Sequence, residues 1–171
     1  MKGFLTTIVA SIAAIVIQPF VLFVWFLLPD LIVHGAEVSW ADLGPLFFYT
    51  ILFATPFVLL LGIPLSTVLW RLGKFRWWPL ALAGASAGAL FAGWDLPGGD
   101  PGYSSGGNWY GQHREFVVAG VPTLYGWLNY LQSMLAFALH GLAGASIYYL
   151  VWASVLRPNN SFKPKPLRGS A

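Results

Sequence analysis

The sequence predicts an all-α integral membrane protein, folded as an antiparallel bundle of four transmembrane helices with both termini in the cytoplasm. Three observations predict this fold. First, 57% of the 171 residues are hydrophobic and only 9% are charged, whereas a soluble domain carries about 25% charged residues. Second, the apolar residues form long uncharged stretches. Third, the basic residues collect on one side of these stretches. Lipid is therefore the expected solvent for most of the surface.

The four predicted spans cover residues 4–28, 45–70, 77–94 and 131–156. A helix needs about 20 apolar residues to cross the hydrocarbon core, at a rise of about 1.5 Å per residue. Kinks are predicted near Pro19, Pro56 and Pro64, because proline cannot donate a backbone hydrogen bond. The first span is longer than the apolar part of a signal peptide, and no A-x-A pattern follows it, so we expect it to be retained.

Residues 1–158 form one predicted membrane domain with outer loops at 29–44 and 95–122. The second loop is dense in glycine, proline and serine, a composition that disfavours extended helices and strands. Apolar residues resume near Phe116. We interpret 116–130 as partly interfacial because Pro122 and Gly126 interrupt it.

The basic, proline-containing tail at 159–171 is predicted to be disordered. Its segment from Asn160 to Ala171 resembles a C-terminal extension that recurs on unrelated bacterial reading frames. The resemblance implies no activity. It does imply a bacterial source, and therefore the inner (plasma) membrane as the location.

The basic residues predict the orientation, since lysine and arginine concentrate in cytoplasmic loops. Four spans with the N-terminus inside place eight of the nine basic residues in the cytoplasm: Lys2, Arg71, Lys74, Arg76, Arg157, Lys163, Lys165 and Arg168. Arg114 falls outside with all six acidic residues: Asp30, Glu37, Asp42, Asp95, Asp100 and Glu115. Two or three spans would leave an apolar helix in water or move a basic loop outside.

The nine tryptophans support the same arrangement, because indole rings favour the headgroup level of a membrane. Five lie at or beyond the predicted outer boundary: Trp25, Trp40, Trp94, Trp109 and Trp127. Four lie at the inner one: Trp70, Trp77, Trp78 and Trp152. The tryptophan positions depend on the preference of indole for the membrane interface and not on charge, and they predict the same orientation as the charged residues.

His140 is the one ionisable side chain placed well inside a predicted span. Asn129, Gln132 and His140 share one face of their helix, and Gln18 belongs to a similar polar stripe on the first span. An intramembrane ionisable residue suggests a proton relay or a substrate contact. The simpler interpretation is a neutral histidine that hydrogen-bonds across helices. We favour the simpler one because no intramembrane acid or base is available as a partner.

Small residues predict close helix contacts in the third and fourth spans. Gly84 and Gly88 are four residues apart in the third span. In the fourth span, Gly141 precedes and Gly144 lies within the segment 142–146, whose sequence is the same as that of 82–86. These glycines could form a dimer interface or pack against other helices of the same chain. The repeat itself is five small-residue matches with no similarity around it, so we interpret it as chance.

The outer loops contain weak candidates for metal ligands, namely His113, Glu115 and Asp95. Imidazole and carboxylate groups can bind divalent cations, but this spacing matches no established motif, and a solvated polar loop is the favoured interpretation. The absence of cysteine excludes disulfides and thiolate sites. No cofactor or metal is predicted, and no basic stripe points to nucleic acid.

Three functions remain open from the sequence. The favoured one is a non-enzymatic accessory or assembly component whose partners are the lipid bilayer and other membrane proteins or a second copy of itself. The second is a subunit of a homo-oligomeric transporter or channel. The third is a membrane enzyme with a site at the outer surface.

Overall fold

The computed structural model describes residues 2–28, 31–32 and 39–156, and it is mostly helical. Three helical stretches are long and apolar enough to cross a membrane: Gly3–Trp25, Leu43–Arg71 and Leu124–Val155. A fourth apolar helix, Trp77–Ala92, is shorter. The structure therefore agrees with a helical membrane protein. The predicted tail at 159–171 lies outside the described residues, as do residues 29–30 and 33–38 of the predicted loop at 29–44.

The first rod consists of α1 (Lys2–Val16), α2 (Gln18–Leu22) and a π-helical turn (Phe23–Leu27). Regular α-helix stops at Ile17, close to the predicted kink at Pro19. Proline has no N–H to donate to the carbonyl four residues earlier, so the hydrogen-bond ladder is interrupted at this point. The wider π-helical turn then carries the chain to the end of the rod.

The second rod consists of α3 (Trp40–Phe57), a π-helical turn (Val58–Gly62) and α4 (Ile63–Arg71). It begins five residues before the predicted span, where the Ser39 hydroxyl accepts a hydrogen bond from the Ala41 amide at 3.2 Å and caps the helix. The π-helical turn lies between Pro56 and Pro64. The backbone is thus irregular where the two prolines predicted a kink.

Two further helices, α5 (Trp77–Ala92) and α6 (Leu124–Leu156), run antiparallel. The 33 residues of α6 span about 50 Å at helical rise, more than the roughly 30 Å of a hydrocarbon core. At the end of α5, the Tyr130 hydroxyl donates to the Gly93 carbonyl at 2.9 Å. The residues of α6 before Tyr130 therefore extend beyond α5. They belong to the segment interpreted as interfacial from the sequence, and α6 begins seven residues before the predicted span.

A small antiparallel sheet corrects the all-α prediction for the loop at 95–122. Its strands are β1 (Ser105–Trp109), β2 (Gln112–Val118) and β3 (Val121–Pro122), in the order β1-β2-β3. Two-residue turns join them at 110–111 and 119–120, and all four turn residues have positive φ. That backbone matches the twist of paired strands. The glycine content therefore supports tight hairpins here rather than an irregular loop.

The helices meet through small side chains. Gly84 and Gly88 of α5 lie against the backbone of α6, and Gly141 of α6 lies against Gly84. Ala10 and Ala14 of α1 are fully buried in a cluster completed by Leu80 and Tyr148. Side chains of the second rod pack against this cluster: Val58, Leu65 and Leu69.

Large apolar side chains cover the outside of the bundle. Phe4, Leu60 and Leu90 are 75%, 72% and 66% exposed. Water would disfavour so much exposed apolar surface by about 25 cal/mol per Å², whereas lipid would not. The described surface is therefore the surface of a protein in lipid.

Gly141→Ala is expected to destabilise the protein, because the added Cβ would collide with the carbonyl oxygen of Gly84, a backbone atom with no rotamer to change. Overpacking of this kind costs about 1–3 kcal/mol. Gly44→Ala is the matched control, since no atom lies within 4 Å of its Cβ position and alanine favours a helix. Thermal unfolding of both variants in one detergent measures the difference. An unchanged melting temperature for Gly141→Ala would contradict the close contact.

Candidate functional site

A cavity of about 800 Å³ lies between the two rods and the α5–α6 pair. All four parts of the bundle contribute to its wall. Along α6 the wall runs from Ala136 to Tyr148, about 18 Å at helical rise. Along the second rod it runs from Leu46 to Leu65, about 28 Å. The cavity is therefore elongated along the helices, with a length similar to the thickness of a hydrocarbon core.

The cavity follows from the choice of small residues on α5 and α6. Ala83, Gly84, Ala87 and Gly88 line it on one helix, while Ala136, Gly141, Gly144 and Ala145 line it on the other. Two side-chain contacts join the second rod to these helices. Phe57 meets Phe91 edge to face at 4.9 Å between ring centroids. Ser66 and Tyr148 share a buried hydrogen bond of 2.8 Å. Between these two contacts, the small residues leave space that no side chain of the described residues fills.

The Ser66–Tyr148 hydrogen bond was not identified from the sequence. Ser66 and Tyr148 are only 4% and 3% exposed, so each hydroxyl needs a partner. A serine two residues after Pro64 and a tyrosine in an apolar helix carry no spacing signal that links them. Only the relative rotation of α4 and α6 brings the two hydroxyls together.

Gln18 and His140 form the principal polar pair of the cavity wall. The His140 Nδ1 atom lies 2.8 Å from the Gln18 Oε1 atom. The Gln18 amide nitrogen donates to the carbonyl of Ala14 at 3.0 Å and to the carbonyl of His140 at 3.3 Å. Two backbone acceptors thus fix the orientation of the amide, and its oxygen faces the imidazole ring.

The orientation of the amide also determines the histidine tautomer. Because Gln18 presents an acceptor to Nδ1, the ring must carry its proton on Nδ1 and donate it. A neutral histidine then has a lone pair on Nε2. No group within the described ranges hydrogen-bonds to Nε2, and this atom is not fully buried. Since His140 borders the cavity, its wall has one free acceptor at this level.

The other two members of the predicted polar face lie elsewhere. The Tyr110 hydroxyl at the β1–β2 turn approaches Gln132 Oε1 at 3.5 Å. The Asn129 side chain is exposed, and the Asn129 carbonyl accepts a hydrogen bond from the Ser133 hydroxyl at 3.0 Å. Gln132 therefore lies near the sheet, and neither residue lines the cavity. The structure thus brings Gln18 and His140 together and separates them from Asn129 and Gln132.

The four predicted packing glycines all lie at contacts within the chain. Gly84, Gly88 and Gly141 form the α5–α6 contact described above. Gly144 lies beneath the polar pair, where a Cβ would be 2.7 Å from the Gln18 amide nitrogen. Glycine at this position therefore leaves room for the Gln18 side chain to reach α6.

The weak metal candidates lie at the sheet end of the bundle. His113 and Glu115 are exposed on the same face of β2, and Asp95 is exposed after α5. Arg114, between the first two, points to the opposite face and lies over the Tyr125 ring at 4.6 Å. Within the ranges that the structure describes, no three His, Asp or Glu side chains are grouped to hold a metal ion.

Comparisons with models of protein families, with curated proteins and with solved structures find no match for this chain. Among the described residues, the cavity and its Gln18–His140 pair combine an apolar wall with a polar contact between helices, and they are the candidate site.

Gln18→Ala and His140→Ala are expected to be coupled in a double-mutant cycle, because each change removes one partner of the same hydrogen bond. Hydrogen bonds between membrane helices contribute about 0.6 kcal/mol on average and up to about 1.7 kcal/mol. Unfolding free energies in mixed micelles measure the coupling. Gln132→Ala combined with His140→Ala is the control and should be additive, because the two side chains share no contact. Additivity in both pairs would contradict the Gln18–His140 bond.

Proposed function

We propose that this chain is a non-enzymatic accessory component of a bacterial inner membrane that holds a lipophilic molecule in the cavity. The observation that supports this is the composition of the cavity wall. The described residues that line it include no aspartate, glutamate, lysine or arginine. Pockets of about 300–1,000 Å³ with mainly apolar walls and a few polar groups are typical of small-molecule sites. This cavity matches both criteria.

The surroundings of the cavity support its occupation. The cavity is open over part of its surface and its wall is mainly apolar. Bilayer hydrocarbon that enters such a space gains van der Waals contacts that an empty space lacks. A lipophilic molecule is therefore favoured as the occupant.

The same wall favours binding over conduction. Ion pathways are lined by carbonyl rings, charged rings or other polar groups that replace the hydration shell. The cavity wall offers an ion a few neutral side chains instead. An accessory component that binds a lipophile therefore fits the geometry better than a subunit of a homo-oligomeric channel.

An enzyme site at the outer surface would rest on His113, Glu115 and Asp95. Within the described residues, the sheet does not assemble these side chains into a metal site.

We further propose that all four apolar elements cross the membrane, with both termini in the cytoplasm. The 16 residues of α5 cover about 24 Å, and Trp77, Trp78 and Trp94 lie at its ends. The contact with α6 supports a crossing for α5, since a helix packed antiparallel on a spanning helix shares its depth. Basic residues at 71–76 and acidic residues at 95–115 then lie on opposite sides.

Reporter domains fused after Arg76 and after Gly107 are expected to report the cytoplasm and the outside, respectively. The reason is that α5 lies between the two fusion points and must cross for the charges to obey the positive-inside rule. Alkaline phosphatase and green fluorescent protein activities measure the two locations. The same location for both fusions would exclude a crossing by α5.

Protein purified in mild detergent is expected to retain about one lipophilic molecule per chain, measured by native mass spectrometry and solvent extraction. Ala87→Leu should lower this occupancy, since the larger side chain enters the cavity from α5. Ser86→Leu is the matched control, because the neighbouring Ser86 is exposed and does not line the cavity. Equal occupancy in wild type and both variants, or none in any of them, would contradict the proposed binding site.

A further inference from the structure

We propose that the molecule held in the cavity carries an alcoholic or phenolic hydroxyl group, and that this hydroxyl donates a hydrogen bond to Nε2 of His140. This inference rests on the proposed function, which supplies an occupied cavity. It adds the chemical class of the occupant. The occupant is a long, mainly hydrocarbon molecule with one donor group that reaches the middle of the bundle.

The first step is that His140 presents an acceptor and not a donor. A Gln18 amide turned the other way would point its oxygen at the carbonyls of Ala14 and His140, and oxygen would face oxygen twice. The observed orientation leaves the amide oxygen for Nδ1–H and therefore the lone pair for Nε2. A charged imidazolium with two donors is disfavoured here, since none of the described lining residues is an acid that could neutralise it.

The second step is that two hydroxyl groups of the cavity wall are already engaged within the protein. The Tyr148 hydroxyl shares its hydrogen bond with Ser66 at 2.8 Å. The Thr50 hydroxyl donates to the carbonyl of Leu46 at 2.7 Å. Nε2 of His140 thus remains an acceptor without a protein donor in the described part of the chain. In apolar surroundings, a polar group without a partner is unfavourable, and a donor on the occupant removes this cost.

The third step concerns the position of His140 along the cavity. His140 lies four residues from Ala136 and eight from Tyr148, which is about 6 Å and 12 Å from the two ends of the α6 wall. The wall on both sides is mainly apolar. A hydroxyl bound here therefore belongs to a molecule whose hydrocarbon part fills the rest of the cavity. A lipid whose only polar part is a large charged headgroup does not fit, because no described cation or anion lines this level.

The test compares two probes that differ in one donor. Oleyl alcohol and oleyl methyl ether share the chain and the oxygen, but only the alcohol can donate. Native mass spectrometry of the delipidated full chain in detergent measures their affinities. We expect the alcohol to bind about three- to eighteen-fold more tightly, the range that one membrane hydrogen bond gives. His140→Phe should reduce this ratio to about one and still bind both probes.

A measurement on the unaltered protein covers the case in which His140→Phe fails to fold. In protein labelled with ¹⁵N-histidine, the Nε2 resonance of His140 should shift when oleyl alcohol is added and stay in place with the ether.

An isoprenoid hydroquinone and its dimethyl ether form a second probe pair. If this hydroquinone pair shows the larger ratio, the hydroxyl is phenolic. If the oleyl pair does, it is alcoholic.

The outcomes separate the two proposals. Equal binding of alcohol and ether, with no shift at Nε2, overturns the hydroxyl assignment and leaves the lipophile site standing. Failure of every probe to bind, with the protein folded, overturns the site itself and the proposed function with it. A polypeptide crosslinked to a photoreactive residue at position 87 would identify a partner helix in the cavity and overturn both.

Discussion

The backbone contact between α5 and α6 is the constraint on which the rest of the described bundle depends. In lipid, apolar side chains gain nothing by leaving their solvent, so helices associate through close packing and hydrogen bonds. Gly84, Gly88 and Gly141 permit that packing by removing the side chains that would hold the backbones apart. α6 then contacts both α5 and the first rod. The small residues that allow this contact also leave the adjacent cavity open.

Polar groups in the bundle interior impose a second constraint, because hydrocarbon offers them no hydrogen bonds. Several hydroxyls satisfy it locally: Ser11 donates to the carbonyl of Thr7 at 2.8 Å, one helical turn earlier. Gln18 and His140 satisfy it across helices, through a pair of residues 122 positions apart. This pair consequently fixes the rotation of the first rod against α6. Among the described residues, no donor hydrogen-bonds to Nε2 of His140.

The sequence predicted the local structure of each segment better than it predicted the contacts between segments. Length and hydropathy predicted the helices, and Pro19, Pro56 and Pro64 marked the irregular backbone, since these properties are local. The sheet was missed because its turns place Tyr110 and Ala119 at positive φ, which neither residue favours alone. Helical spacing predicted a shared face for Asn129, Gln132 and His140. It could not reveal that Gln132 meets Tyr110 of the β1–β2 turn while His140 meets Gln18 of the first rod.

Two interactions contribute to the binding of a molecule in the cavity: apolar contact with the wall and a hydrogen bond to His140. Apolar volume has to be filled, and any chain from the bilayer can fill it, since lipid tails are as apolar as the wall. That contribution supports occupation but selects nothing. Selection requires an interaction that ordinary tails lack, and the wall supplies one at His140, where Gln18 fixes the ring and directs a lone pair outward. A bulk acyl chain leaves that acceptor without a partner, whereas a hydroxyl satisfies it. The preference between two otherwise equal occupants therefore comes from the donor and not from the buried area.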